Sequence, residues 1–236
     1  MALLKWDKPG EHYYETGVEK VVLFVADENA TGHALKYGKG VAWNGVTAVT
    51  NSPSGAEETA LYANDDKYLS LRSKEDFGAT LEAYTYPDEW YPCDGLVKKG
   101  GVAISQQTRE SFCLAYLTKE GNDQKFDSFG EKIHIIYGAT ASPSEKAYAT
   151  VNDSPEAITF SWELSTIPVE CKLNGEEYKK CAHLEVSSTD LDVSAEAFQA
   201  LKDALWGTDP SDDEYGTGGT DSYVPSPAEV YDIING

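Results

Sequence analysis

Basic residues are scarce in this chain, which has 19 Lys and Arg against 40 Asp and Glu in 236 residues and a formal net charge of −21. Affinity for nucleic acid comes mainly from Lys and Arg that neutralise phosphates, so this balance argues against a protein that grips DNA or RNA. It argues equally against docking on an anionic membrane surface. A share of 41% hydrophobic and 11% aromatic residues excludes gross disorder and allows a sizeable core.

Long apolar runs are also missing. The run 21–26 (VVLFVA) has the length of a strand, far short of the roughly 18 apolar residues that a membrane helix needs. The first residues lack the apolar centre and cleavage site of a signal peptide. We therefore expect a chain without a membrane anchor that is made and kept in a cytoplasm.

Cysteine and histidine are few and lack the spacing of metal sites. The cysteines are Cys93, Cys113, Cys171 and Cys181, and they contain no Cys-x-x-Cys pair. A zinc site needs closer pairing of ligands, and the histidines do not pair with these cysteines. Cys171 and Cys181 would bridge a loop if oxidised, but without a secretion signal we expect reduced thiols. His134 alternates with Ile133 and Ile135, so we expect it on the surface of a strand.

The common catalytic motifs are absent as well. The sequence contains no Gly-x-Ser-x-Gly, no phosphate-binding Gly-rich loop and no His-Glu-x-x-His. Forty carboxylates produce near pairs by number alone, and the pairs Asp65-Asp66 and Glu57-Glu58 lie in polar, turn-like stretches. We interpret them as solvated loop acids and not as an acid–base dyad. The sequence predicts no enzyme and no cofactor.

Several segments do alternate apolar and polar residues with period two, which is typical of half-buried strands. The clearest is 157–165, where Ile158, Phe160, Trp162 and Leu164 share one face. Weaker alternation occurs at 20–26, 67–72, 79–86, 112–118, 132–137 and 182–187. Turn clusters rich in Gly, Pro, Asn and Ser separate these segments, one of them at 152–155. We predict a mainly β fold, a sandwich or barrel.

One helix is predicted over residues 195–206. Ser194 is a good N-cap, and Gly207 occupies the C′ position, where a left-handed residue is favoured. Phe198 and Leu205 belong to an apolar stripe at helical spacing, so this helix should flank the sandwich and close its core.

The composition changes after this helix, so we divide the chain into a β domain at 1–207, an acidic flexible linker at 208–222 and a docking segment at 223–236. The segment ends in apolar residues at helical spacing. An extended C-terminal arm of this kind would attach to a neighbouring subunit or dock back on its own domain, and both alternatives stay open. The residues assigned to inter-subunit contact are Tyr223, Val230, Ile233 and Ile234.

Six stretches of the chain resemble a known family. They are 37–49, 52–57, 61–69, 77–90, 132–144 and 152–157, spread over roughly residues 18–206. Together they are similar to the major tail protein, or tail tube protein, of long-tailed bacteriophages with non-contractile tails. The resemblance is more specific than any short motif in the chain.

The resemblance implies a structural virion protein. Its fold would be a β-sandwich with a flanking helix, of the phage tail tube type. Subunits would form hexameric rings that stack into a hollow tube for genome delivery. Its partners would be copies of itself and the tape measure, tail tip and tail terminator proteins, while genomic DNA would pass through without specific binding. Assembly would take place in the host bacterial cytoplasm, and the protein would end in the virion tail.

The resemblance also implies site residues. A loop at about 51–66 would contact the next ring, since an irregular loop of about 15 residues is unusual without a function. Its candidate residues are Asn51, Pro53, Gly55, Glu57, Glu58, Tyr62, Asp65 and Asp66. Acidic residues that line the channel would repel phosphates and leave no gain from counterion release. The candidates are Glu82, Glu131 and Glu163, and the alternative for each is a position on an outer, solvated face.

Two other classes of function compete with this one. A carbohydrate-binding or adhesive β-sandwich would use exposed aromatics such as Tyr84, Tyr86, Trp90 and Tyr91 as a flat platform. An acid-pair hydrolase would need two carboxyls facing each other in a deep cleft. Unpaired sheet edges and a long protruding loop would favour self-assembly.

Overall fold

A computed structural model describes residues 5–148, 150, 157–209 and 219–236. The turn predicted at 152–155 and the greater part of the linker predicted at 208–222 lie outside the described residues. No helix in the described part of the chain is both long enough and apolar enough to cross a membrane.

The described residues form sixteen strands, one short 3-10 turn and two α-helices. The strands are β1 (Tyr13–Val25), β2 (Val41–Ala42), β3 (Val46–Asn51), β4 (Ser54–Gly55), β5 (Glu58–Ala63), β6 (Asp66–Arg72), β7 (Glu75–Asp76), β8 (Gly78–Ala83), β9 (Val97–Lys99), β10 (Val102–Ile104), β11 (Phe112–Asn122), β12 (Phe126–Ala141), β13 (Phe160–Thr166), β14 (Lys172–Leu173), β15 (Glu176–Glu177) and β16 (His183–Ser187). The 3-10 turn spans Asp88–Trp90, and the helices are α1 (Ala195–Trp206) and α2 (Pro227–Asn235).

Eight strands form one antiparallel sheet in the order β2-β1-β11-β12-β13-β8-β3, with β16 also paired to β12. The long strand β12 changes partners along its length: Lys132 to Ile136 pair with β16, and Ala139 to Ala141 pair with β13. The sheet therefore folds over at β12, and β13, β8 and β3 form a layer that faces β1 and β11. The predicted mainly β sandwich with a flanking helix is confirmed.

The first core lies between the two layers of the folded sheet. Trp43, Trp90 and Trp162 meet there, with ring centroids of Trp43 and Trp90 4.7 Å apart and those of Trp90 and Trp162 5.3 Å apart. Leu81 of β8 and Leu114 of β11 pack on this cluster and are fully buried. Burial of large aromatic side chains supplies most of the stabilising apolar area of such a sandwich.

The second core lies on the opposite face of β1, β11 and β12, beneath the two helices. Leu117 and Ile135 point to this side and pack against Phe198 and Leu205 of α1. Because both faces of these strands are covered, residues 112–117 are apolar without interruption, in contrast to the alternation of a strand that is covered on one face.

Helix α1 begins and ends where its caps predict. The Ser194 hydroxyl accepts a hydrogen bond from the Ala197 backbone N–H at 3.1 Å. Gly207 ends the helix with a φ of 73°, a conformation that favours glycine. The predicted helix at 195–206 is confirmed.

The C-terminal segment corrects the expectation of an extended arm, because it ends in a second helix that packs on the domain. In α2, Ser226 and Glu229 form a capping box, and Pro227 starts the first turn. Val224 and Val230 are buried in the second core. The Tyr137 hydroxyl also donates a hydrogen bond to the Pro225 carbonyl at 3.0 Å. The apolar positions of the segment thus have partners within the chain.

His134 was expected on the surface, and this prediction is wrong because β12 is covered on both faces. Ile133 and Ile135 face the helices, whereas His134 faces the opposite side and is 5% exposed. Its ring stacks on Tyr116 at a centroid distance of 4.7 Å.

The four cysteines are free thiols in the structure. Burial raises the pKa of Cys93 to about 12. Burial, followed by the neighbouring Cys171 thiol, raises the pKa of Cys181 to about 12. High pKa values of this kind keep a thiol protonated and poorly reactive at neutral pH.

Candidate functional site

A long hairpin leaves the sandwich between β3 and β8. Asn64 and Asp65 join β5 to β6 with φ values of 52° and 66°, as in a two-residue type I′ turn. The pairing continues to β4 and β7 because the Ala56 N–H donates to the Lys74 carbonyl at 3.2 Å. The two arms, of ten residues (54–63) and eleven residues (66–76), make the hairpin roughly 30 Å long. The irregular loop expected at 51–66 is therefore wrong, since most of it is paired strand.

One face of this hairpin is apolar and uncovered. Leu61 pairs with Leu69, and Leu71 pairs with Thr59, so these four side chains share a face. Leu61 and Leu71 are 42% and 55% exposed. Period-two alternation normally means that the apolar face packs on another element, yet no element among the described residues covers this face. We call Thr59, Leu61, Leu69 and Leu71 the hairpin leucine face.

The opposite face of the hairpin is polar. Glu58 forms an ion pair with Lys67 at 2.7 Å, and Arg72 lies 4.0 Å from the same carboxylate. The hydrogen bond from Lys67, followed by that from the Ser70 hydroxyl, lowers the pKa of Glu58. These groups remain in water, so the hairpin is amphipathic in the free chain.

The residues predicted for ring contact lie along the hairpin and its base, and all are exposed. They are Asn51, Pro53, Gly55, Glu57, Glu58, Tyr62, Asp65 and Asp66. Sequence reasoning missed Leu61, Leu69, Leu71 and the 73% exposed Tyr68. The signal that would have found them is the alternation in 58–72 around the two-residue turn Asn64–Asp65.

A second candidate surface is the outward face of the layer β3, β8 and β13. Glu82 and Glu163 both point away from the first core, with Ser161 opposite Glu82 and Thr80 opposite Glu163. None of these three strands contains a Lys or Arg. Ser165, Thr50 and the small side chain of Ala48 extend the same face, so its polar groups are hydroxyls and carboxylates. We call Glu82, Glu163, Thr80, Ser161 and Ser165 the acidic sheet face.

Glu131, the third acid predicted for a channel, lies elsewhere. It belongs to the β12 segment beneath the helices, where it forms an ion pair with Lys202 of α1. The Ser188 hydroxyl also accepts a hydrogen bond from the Glu131 backbone N–H at 2.8 Å. Glu131 therefore ties α1 to the sheet and is not part of the acidic sheet face.

The residues predicted for an inter-subunit arm contact their own domain. Val230 is buried, and Ile233 and Ile234 pack partly buried against the second core. Tyr223 stacks on His33 with ring centroids 3.7 Å apart. In this conformation the C-terminal segment docks on its own domain, which is the second of the two alternatives left open by the sequence.

The sheet ends in an open edge at β3. Within the described residues β3 is hydrogen-bonded to β8 on one side, and no strand is hydrogen-bonded to its other side. A free edge presents unpaired N–H and C=O groups that another strand can satisfy. This edge adjoins the acidic sheet face and the base of the hairpin.

The four aromatics of the carbohydrate hypothesis do not form one flat platform. Trp90 is fully buried in the first core. The rings of Tyr86 and Tyr91 meet edge to face at 80°, and only Tyr84, 53% exposed, projects freely. The acid pairs considered for hydrolysis, Glu57-Glu58 and Asp65-Asp66, lie exposed on the hairpin and not in a cleft.

No protein-family model and no curated protein matches the chain.

Proposed function

We propose that this chain is the subunit of a phage tail tube, which self-assembles into stacked rings around a channel for the genome. The observation that carries the proposal is the uncovered leucine face on a hairpin roughly 30 Å long. The resemblance of the sequence to phage tail tube proteins suggests the form of the assembly, a ring of six subunits. Proteins of the tape measure, tail tip and tail terminator would be its other partners.

The hairpin supports stacking because its length and chemistry suit contact with a second copy. A two-stranded ribbon is marginally stable alone, so burial of its apolar face by a neighbour would stabilise it. At about 25 cal/mol per Å² of apolar area, each leucine buried in this way contributes on the order of 1–2 kcal/mol per contact. Repetition around a ring multiplies the gain.

The acidic sheet face supports a role as the channel wall. The open edge of β3 would allow neighbouring subunits to extend the layer β3, β8 and β13 into a closed barrel, as rings without free edges require. The inner wall would then carry Glu82 and Glu163 with no basic residue beside them on these strands. Such a wall repels DNA phosphates and gives no counterion-release gain, so DNA would slide past it.

The test is a double variant of the hairpin leucine face, Leu61→Ser with Leu69→Ser. Both residues are at least 37% exposed, so the fold of the monomer should keep its stability within about 0.5 kcal/mol. The amount of tube formed should fall at least about tenfold, because each subunit loses two apolar side chains from its contact with the next ring. Sedimentation and negative-stain electron microscopy of concentrated samples measure it.

Tyr178→Ser is the matched control, since Tyr178 is 55% exposed beside the separate small hairpin of β14 and β15. This variant should assemble like the wild type. Equal assembly of the leucine variant and the wild type would contradict stacking through the hairpin.

A further inference from the structure

Three potential metal ligands meet on one face of the β12–β16 pair. His134 lies directly opposite Glu185, and His183 precedes Glu185 by two residues on the same strand, so all three share a face. His134 Nδ1 is 3.5 Å and His183 Nδ1 is 3.7 Å from Glu185 Oε1. One ligand atom from each residue lies within 4.8 Å of the others.

The hydrogen bonds around His134 leave one ring nitrogen free. Its Nε2 lies 3.1 Å from Glu15 Oε1 and 2.9 Å from the Thr118 hydroxyl. We place the ring proton on Nε2, because an ionised carboxylate can only accept a hydrogen bond there. A neutral ring that carries its proton on Nε2 has a lone pair on Nδ1. That Nδ1 is buried, has no hydrogen-bond partner and is turned toward Glu185. An unprotonated Nδ1 and a carboxylate in this position repel each other, and a cation between them, either a proton or a metal ion, removes the repulsion.

In metal-binding histidines the ring nitrogen that does not bind the metal commonly donates its proton to a carboxylate. This hydrogen bond fixes the tautomer and the ring orientation and raises the basicity of the ligand nitrogen. The Thr118 hydroxyl donates a hydrogen bond to the same Glu15 oxygen at 2.6 Å and holds the carboxylate in place. His134 is therefore oriented before any ion binds.

His183 is positioned by ring stacking and has no carboxylate on its far nitrogen. Its ring stacks between His134, at a centroid distance of 5.6 Å, and Phe77, at 4.8 Å. Its Nε2 is a second buried nitrogen without a hydrogen-bond partner. The side chains of His134 and His183 are 6% and 14% exposed, so both rings are already restricted. Their planes are nearly parallel, at 8°, so one ring has to rotate for both Nδ1 lone pairs to point at one ion.

Solvent reaches the cluster from one side. A recess of about 430 Å³ is lined by His134 and Glu185 together with Glu15, Thr118 and Tyr116. Glu185 is 47% exposed, so its carboxylate forms the outer part of the cluster. The recess gives an ion a route in and leaves room for a water ligand.

The local charge also favours a cation. Glu15, Glu120 and Glu185 carry three negative charges around the cluster. Lys132 is the basic side chain among them, at 2.6 Å from Glu15 and 3.3 Å from Glu120. The carboxylates therefore exceed the cation by two charges.

We propose that His134, His183 and Glu185 form a binding site for a divalent transition-metal ion, with Zn²⁺ as the best fit and a water as the fourth ligand. Zinc bonds of about 2.0–2.2 Å in a tetrahedron separate neighbouring ligand atoms by roughly 3.3–3.6 Å. The separations of the two Nδ1 atoms from Glu185 Oε1, 3.5 and 3.7 Å, are close to this, and the ligand atoms of the two histidines lie within 4.8 Å of each other. Two imidazoles and one carboxylate suit zinc, cobalt and nickel better than calcium or magnesium.

The test is titration of Zn²⁺ into the full chain by calorimetry after removal of metals with a chelator, with Co²⁺ and its visible absorption as the second probe. The wild type should bind one ion per chain. Glu185→Gln and His183→Ala should lose this binding at least about 100-fold, and Glu15→Gln should weaken it by about 10–100-fold because it removes the support of His134. Glu185 is half exposed, so its variant should fold normally.

His12→Ala is the control, because His12 is the other histidine with carboxylates nearby, at 3.7 Å from Asp7 and 3.4 Å from Asp123. It should bind Zn²⁺ as the wild type does, with the same Co²⁺ spectrum. Absence of stoichiometric binding in the wild type would overturn the proposal. Loss of binding in His12→Ala with full binding in Glu185→Gln would overturn it as well.

Discussion

Gly138 sits where β12 leaves one layer of the sheet for the other. Its φ is 57°, and a Cβ at this position would lie 2.3 Å from the Ile167 carbonyl oxygen. The Ile167 N–H in turn donates a hydrogen bond to the Gly138 carbonyl at 2.9 Å. The backbone just after β13 thus approaches β12 too closely to leave room for a side chain at residue 138, and the folding-over of the sheet depends on this glycine.

Gly138→Ala should therefore lower the free energy of unfolding by at least about 2 kcal/mol, because strain at positive φ adds to a clash with backbone. Urea unfolding followed by tryptophan fluorescence measures it. Gly175→Ala is the control: its φ is 77°, but a Cβ there would meet nothing within 4 Å. That variant should lose about 1 kcal/mol, from strain alone. Equal losses in the two variants would contradict the role given to close approach.

Residue-scale predictions from sequence worked where the signal is local. Ser194 and Gly207 predict the ends of the helix at 195–206 correctly, because capping depends on residues that are neighbours in the sequence. His134 failed because its burial is decided by Tyr116 and by a covering layer far away in sequence. The cluster of His134 with His183 and Glu185 was not predicted either. The pairing of β12 with β16 brings together residues about fifty positions apart, and no local pattern in the sequence indicates that pairing.

At the scale of elements, α2 decides whether the second core is closed. Val230 is 3% exposed and packs among residues of the sheet and of α1. Helix α2 has only nine residues, so it depends on this packing and on its capping box more than on its own propensity.

Val230→Asp should detach α2, because a carboxylate cannot remain unpaired in this core. We expect a loss of about 2–4 kcal/mol in the free energy of unfolding and faster amide exchange throughout α2. Asp232→Asn, on the exposed side of the same helix, should change neither quantity appreciably. Unchanged exchange in Val230→Asp would show that the helix is held by something other than its apolar side.

Elements with a clear hydrophobic periodicity could be predicted from the sequence, but the elements on which they pack could not. The alternation at 157–165 and the apolar stripe of the helix at 195–206 gave β13 and α1. The hairpin at 54–76 also alternates, but its Gly, Pro, Ser and Glu content favoured an irregular loop. The C-terminal segment had apolar positions at helical spacing, and the sequence alone did not decide which molecule would cover them.

At the scale of the whole molecule, the charge of −21 has a physical use in the proposed tube. Glu82 and Glu163 would line the channel, whereas Glu131 forms an ion pair with Lys202 of α1. The hairpin leucine face would join rings along the axis, and the open edge of β3 would join subunits around it. These three surfaces lie on different parts of one chain, which is what assembly in two directions requires.

Assembly into a tube can be tested by negative-stain electron microscopy of the purified, concentrated protein, with mass determination alongside. A tail tube subunit should form rings or hollow tubes with a central channel, either alone or after addition of tail tips as a seed. A strict monomer at every concentration, with the seed present, would contradict this proposal.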